Sequence, residues 1–162
     1  MYEFIGIKRF RQFQTFELSG LTRVNLLVGK NNAGKTSLLE AIEMLASGGR
    51  TSSLLRSPRR RGEVSSGTSE ERPGRMELDV RHLFRGHKLE AGLSFELLGR
   101  SGTVETIVQC EVKHAPRDEP QLELVPDAMD LEPQLALCLR GPETPDGILG
   151  SSGKSVGGFW LG

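Results

Sequence analysis

The sequence predicts an α/β fold: a strand–loop–helix unit near the N-terminus, continued by a β-rich stretch. Two observations carry this. Residues 26–45 read LLVGKNNAGKTSLLEAIEML, an apolar run, a Gly-rich turn and an amphipathic run in succession. From Met76 on, MELDVRHLF, KLEAGLSFELL and TVETIVQCEVKH are β-like, and polar and apolar residues alternate along Thr103–His114. That alternation is the period of a strand with one buried face.

The elements follow in order. Tyr2–Phe10 alternates in places and predicts a strand, and Gln12–Leu18 predicts a second. Arg23–Val28, RVNLLV, predicts a short apolar strand that ends at Gly29. Over Ser37–Ala46 the period changes. Leu38, Leu39, Ile42 and Leu45 repeat at helical spacing, with Glu40 and Glu43 on the other side, which predicts an amphipathic helix. Gly48 and Gly49 stop it. Arg50–Arg75 is rich in Ser, Arg, Gly and Pro and reads as an exposed, mobile insertion. In Thr103–His114, Val104, Thr106 and Val108 face one way and Glu105, Ile107 and Gln109 the other, and Val112 is expected to break the pattern as a bulge or buried edge. Two weaker strands, QLELV and QLALCL, follow among Pro residues. The segment from Arg140 is Gly/Pro/Ser-rich and ends on an apolar FWL, as a strand cut from its continuation would.

The chain therefore divides into a strand–loop–helix core at 1–49, an insertion at 50–75, a β-rich part of the same lobe at 76–140 and a Gly/Pro-rich segment at 141–162. At 162 residues one domain is expected. The 21 basic and 21 acidic side chains cancel, so any nucleic-acid surface must come from local patches. Cys110 and Cys138 have no ligand spacing and read as reduced thiols. No signal peptide and no membrane span is expected, which points to a cytoplasmic protein without membrane partners.

The pattern G-x-x-x-x-G-K-[ST] is met by Gly29, Lys30, Asn31, Asn32, Ala33, Gly34, Lys35 and Thr36. Its glycines let the backbone curl around an anion, and the loop N–H groups form a nest. The helix that follows, with Ser37 in its first turn, adds its positive end. Asn31 and Asn32 tolerate the turn, and Lys30 is expected to point outward. Lys35 would reach the β- and γ-phosphates of a bound nucleotide as the catalytic cation. The Thr36 hydroxyl would ligate Mg²⁺. The competing reading is a Gly-rich turn with no ligand.

The opening IKRFRQF, followed by LTRVNLLVGKNNAGKTSLLEAIEML, resembles the N-terminal lobe of ABC-type, AAA-family ATPases of the RecF/SMC/OLD group. LDVRHLFRGHKLEAGLSFEL resembles the branch similar to OLD and Gabija nuclease ATPase domains. The resemblance implies a P-loop NTPase lobe with a mixed sheet, incomplete without a second lobe. It places Arg11 near the phosphate loop, as part of the nucleotide site or as the residue that orders the lobe; the alternative reading is a solvated strand residue. It implies ATP-driven closure of two heads in a homodimer. The work would be done on DNA, or on an attached nuclease or effector domain, in DNA repair or phage defence.

Hydrolysis in that group also needs an apolar strand ending in Asp-Glu and a signature loop. The only Asp-Glu pair, Asp118-Glu119, lies in KHAPRDEP, and LELVPD has a proline before Asp127. Leu18-Ser19-Gly20 is a signature fragment in the wrong place, and GSSGKS (Gly150–Ser155) lacks the spacing of a second phosphate loop. These 162 residues alone are therefore expected to be inactive as an ATPase. Two alternatives stay open: an ATP-binding regulatory or scaffold module that does not hydrolyse, and a DNA-binding protein with a vestigial loop. For the latter, Arg56–Arg61 (RSPRRR) is the basic run that would meet phosphates, although a solvated loop explains it as well. His82, His87 and His114 have no ligand spacing for a metal.

Overall fold

A computed structural model of the chain describes residues 1–62, 64–66, 76–114, 135–151 and 158–160. In chain order the elements are β1 (Phe4–Phe10), β2 (Phe13–Ser19), α1 (Lys35–Ala46), α2 (Thr51–Arg61), β3 (Val64–Ser66) and β4 (Met76–Asp79). A 3-10 turn over Val80–Leu83 follows, then β5 (Ser94–Ser101), β6 (Val104–His114), β7 (Leu135–Gly141), β8 (Thr144–Ser151) and β9 (Gly158–Trp160). Six strands form one sheet in the order β2-β1-β5-β6-β7-β8, and β3-β4-β9 form a small second one. Every ladder among the described residues is antiparallel. The antiparallel β section expected from the sequence is present, and among the described residues no parallel ladder joins it.

The large sheet is one-sided, as the alternation requires. Ile5, Ile7, Phe95, Leu97, Val108, Cys110 and Val112 are buried on one face. On the other, Lys8 pairs in register with Glu96, and Glu96 with Gln109. The buried face is covered by α1 through Leu38, Ala41, Met44 and Leu45, with Phe10, Leu54, Val80, Leu83 and Phe84 in the same core. Each of these large side chains contributes about 1.5–3 kcal/mol on burial. The core face of β6 runs unbroken through Val112, which is fully buried, and its pairing with β5 holds from Ser94↔Glu111 to Ser101↔Val104. The expected break at Val112 is not there, because Val112 keeps the same parity as Val108 and Cys110.

Three further expectations are corrected. The helix is rotated about its axis: Leu39 is 55% exposed while Glu40 is 7% exposed. The row that faces the sheet is Ser37, Leu38, Ala41, Met44 and Leu45, also at helical spacing, so the apolar pattern alone left two phases. Second, Thr51–Arg61 is a helix and not a mobile loop, with Leu54 buried in the core and arginines on the acids of α1. Of the rest of the 50–75 insertion, Arg50, Gly62 and β3 are described, and the remainder lies outside the described residues. Third, Arg23–Val28 belongs to no strand. Val24, Leu26 and Val28 are 87%, 88% and 83% exposed, while Leu27 packs on the core. The spacing is that of a strand, but no neighbouring strand among the described residues pairs with it.

Of QLALCL, Leu135–Leu139 lie in β7, and of FWL, Phe159 and Trp160 lie in β9, where Phe159 pairs with Leu78. KLEAGLSFELL becomes a strand only from Ser94. QLELV and Asp118-Glu119 lie outside the described residues, as does most of GSSGKS. Among the described residues no helix is long and apolar enough to cross a membrane.

Candidate phosphate-binding site

The Gly-rich run forms a turn that leads directly into α1. Ala33 N–H donates to the Lys30 carbonyl at 3.2 Å. Asn32 takes a left-handed conformation at φ 63°, and Gly34, the N-cap, has φ 89°. Asn tolerates that region because of its short polar side chain. Gly34 is required for a second reason. A Cβ there would collide with the Gln12 amide and lie 2.7 Å from Phe13 Cζ. The β1–β2 turn therefore rests on the loop.

The N-terminus of α1 has no side-chain cap and no acidic residue in its first turn. The first N–H groups of a helix have no partner within it, so this end is electropositive and open to an anion. Lys35 Nζ reaches back over the turn and donates to the carbonyls of Gly29 and Lys30, each at 2.8 Å. Thr36 is exposed beside it and Ser37 is buried. Gly29, Lys30, Asn31 and Asn32 are all exposed, with Ala33 beside them. The predicted loop residues thus come together around one helix end.

Arg11 sits elsewhere in this arrangement. It is the first residue of the β1–β2 turn, at φ 51°, and is 5% exposed. Its N–H donates to the Leu83 carbonyl at 2.8 Å and its Nη1 to the His82 carbonyl at 3.3 Å. Its Nε lies 2.5 Å from Glu40 Oε2 on α1. The side chain is engaged with the helix behind the loop and with the 3-10 turn. Glu40 was missed by sequence reasoning because its neighbours place it on the polar side of an ideal amphipathic helix.

Three arginines of the basic run are also engaged. Arg61 Nε donates to Glu40 Oε1 at 2.7 Å, and Arg56 and Arg60 meet the two oxygens of Glu43 at 3.3 and 3.4 Å. His82 and His87 meet edge to face at 4.6 Å, while His114 ends β6 on the far side of the chain order.

A Gly-rich turn on an uncapped helix N-terminus, followed at once by Lys and Thr, has the form of a phosphate-binding loop. The family described as AAA ATPase domain matches residues 1–91. The chain belongs to that family, as an AAA-family ATPase of the RecF/SMC group. A curated relative from Xanthomonas oryzae pv. oryzae, the DNA replication and repair protein RecF, is 52% identical over 44 residues, 27% of this chain and 12% of that protein. RecF of Acinetobacter baylyi is 46% identical over 44 residues, again 27% and 12%. An ATP/GTP phosphatase of Helicobacter pylori is 42% identical over 45 residues, 28% and 12%. The matched stretch is about an eighth of each of these relatives. No solved structure matches the chain.

Proposed function

We propose that residues 29–37 bind the phosphates of ATP with Mg²⁺, and that the chain is the ATP-binding lobe of an ATPase of the RecF/SMC/OLD group. The single observation that carries this is the uncapped N-terminus of α1 behind the GKNNAGKT turn, with Lys35 folded over it. The backbone N–H groups of Gly29–Ser37 would hold the anion. Lys35 would exchange its bonds to the Gly29 and Lys30 carbonyls for phosphate oxygens. Exposed Thr36 offers a hydroxyl for Mg²⁺, whose other ligands would be phosphate oxygens and water. Ser37, buried, contributes its backbone and not its hydroxyl. Arg11 supports the loop from behind instead of touching phosphate.

Hydrolysis, in this reading, takes further groups from a longer protein or a second copy. The exposed row Val24, Leu26 and Val28 supports that, since this apolar segment leading into the loop joins no sheet among the described residues. The names of the matched relatives support coupling of the ATPase to DNA repair, and a phage-defence nuclease or effector is the variant of this reading that the OLD/Gabija resemblance favours. Arg56, Arg60 and Arg61 of α2 are occupied by Glu43 and Glu40, which favours their structural role over DNA contact.

Isothermal calorimetry tests the site. The chain should bind Mg-ATP, Lys35→Ala should abolish binding, and Thr36→Ala should remove the magnesium dependence. Unchanged affinity in Lys35→Ala would refute the assignment.

A further inference from the structure

The sequence puts a carboxylate, Glu40, on the phosphate-loop helix at a position that the fold buries. Only 7% of it is exposed. A lone buried carboxylate is costly and is tolerated only when paired. Here each oxygen takes one guanidinium: Oε2 forms a close ion pair with Arg11 Nε at 2.5 Å that is not aligned as a hydrogen bond, and Oε1 accepts a hydrogen bond from Arg61 Nε at 2.7 Å. The two arginines come from different elements, the β1–β2 turn and the C-terminal end of α2.

Arg11 is itself fixed from a third side by the carbonyls of His82 and Leu83. Gln12 and Phe13, which follow it in the turn, abut Gly34 at the N-cap of α1. One closed path therefore joins Glu40, Arg11, the turn, Gly34 and the helix back to Glu40. The planar, directional guanidinium fixes where a carboxylate sits more sharply than apolar packing does. Apolar contacts along Leu38, Ala41, Met44 and Leu45 hold α1 to the sheet, and they are less directional than a hydrogen-bonded guanidinium. A buried ion pair is a weak source of stability against apolar residues of similar size, so what it adds at this place is orientation.

We propose that Glu40 is a positioning residue for the phosphate loop: held between Arg11 and Arg61, it sets the rotation and depth of α1, and so the direction of the N–H groups that receive the nucleotide. This rests on the reading that Gly29–Ser37 bind ATP. The Arg61 arm makes the setting sensitive to α2, whose Arg56 and Arg60 also reach across to Glu43. Displacing α2 would loosen the loop without touching it.

The test uses the 162-residue chain with Mg-ATP as probe. Affinity is read by calorimetry well below the melting temperature, and Tm by circular dichroism. The double variant Arg11→Met/Glu40→Met removes both charges and keeps side-chain length. It should melt within a few degrees of the parent yet bind about tenfold more weakly, because small misplacements of a site cost at least that much. Arg61→Met leaves Glu40 paired to Arg11 and decides the matter even if the double variant does not fold. It should bind about threefold more weakly, a partial release of the same constraint. A pair that serves only stability would move Tm and leave the affinity of the folded protein unchanged. Parental affinity in Arg61→Met, or in a double variant of unchanged Tm, overturns the proposal. If the parent fails to bind Mg-ATP, the ATP reading falls and the positioning role with it. If the parent binds and Lys35→Ala does not, while the Glu40 and Arg61 variants bind like the parent, only the positioning role falls.

Discussion

Lys35 Nζ donates to the carbonyl oxygen of Gly29 across the mouth of the loop, at 2.8 Å, and to Lys30 at the same distance. The first residue of α1 is thus tied to the first residue of the turn. These bonds are partly open to water, so their net contribution lies near the low end of about 0.5–1.5 kcal/mol. Lys35→Ala should therefore lower Tm by only about 2–4 °C in a thermal melt, while nucleotide binding disappears. A much larger fall would make Lys35 a structural strap and not a ligand of phosphate.

Two leucines twelve positions apart in the helical and strand-like halves of the same motif should behave oppositely. Leu38 is 4% exposed and belongs to the core, whereas Leu26 is 88% exposed. Leu38→Ala should cost about 2–5 kcal/mol, read by urea denaturation. Leu26→Lys should stay within about 0.5 kcal/mol. A comparable loss from Leu26→Lys would show that the chain buries this segment against itself or a second copy.

That contrast marks where the sequence was legible. Val104–His114 was readable because its alternation matches a sheet with one wet face, and Lys35–Ala46 because a Gly-rich turn and a Gly pair bracket it. The loop residues were readable for the same local reason, since a tight turn and a helix start are fixed by neighbours in sequence. The phase of α1 was not, because Leu38, Leu39, Ile42 and Leu45 fit two rotations and only the sheet chooses between them. Glu40 was hidden by the same ambiguity, as its partners Arg11 and Arg61 come from distant parts of the chain. The arginines of α2 gave no helix signal, since Ser, Pro and Arg composition reads as a loop until Leu54 finds the core.

Glu96 gives the fold a predictable acid limb. Its hydrogen bond from Lys8 (2.9 Å), and then that from Gln109 (2.8 Å), hold its carboxyl below the usual range. The folded form therefore ionises more easily than the unfolded one. Between the two pKa values the unfolded chain binds more protons, so stability rises with pH there. The contribution is full above the unfolded carboxylate pKa and is lost as pH falls through the folded one. Glu96→Gln should flatten this limb of a Tm-against-pH curve, by a small amount because Lys8 is largely exposed. An identical acid limb in the variant would assign it to other carboxylates.

Cys110 and Cys138 sit on adjacent strands but cannot meet. The register pairs Cys110 with Leu139 and Glu111 with Cys138, and residues directly opposite share a face, so the two thiols lie on opposite sides of the sheet. Cys110 is fully buried, and desolvation pushes its thiol well above the ordinary range. The thiolate is the reactive form, which leaves Cys110 inert while the fold is intact. Half-buried Cys138 is more accessible. Iodoacetamide at mildly alkaline pH, followed by peptide mass spectrometry, should label Cys138 first and Cys110 only after denaturant is added. Oxidation of the native chain should yield no disulfide between the two. Early labelling of Cys110, or an intramolecular bond, would mean that the β6–β7 ladder opens or is paired in another register.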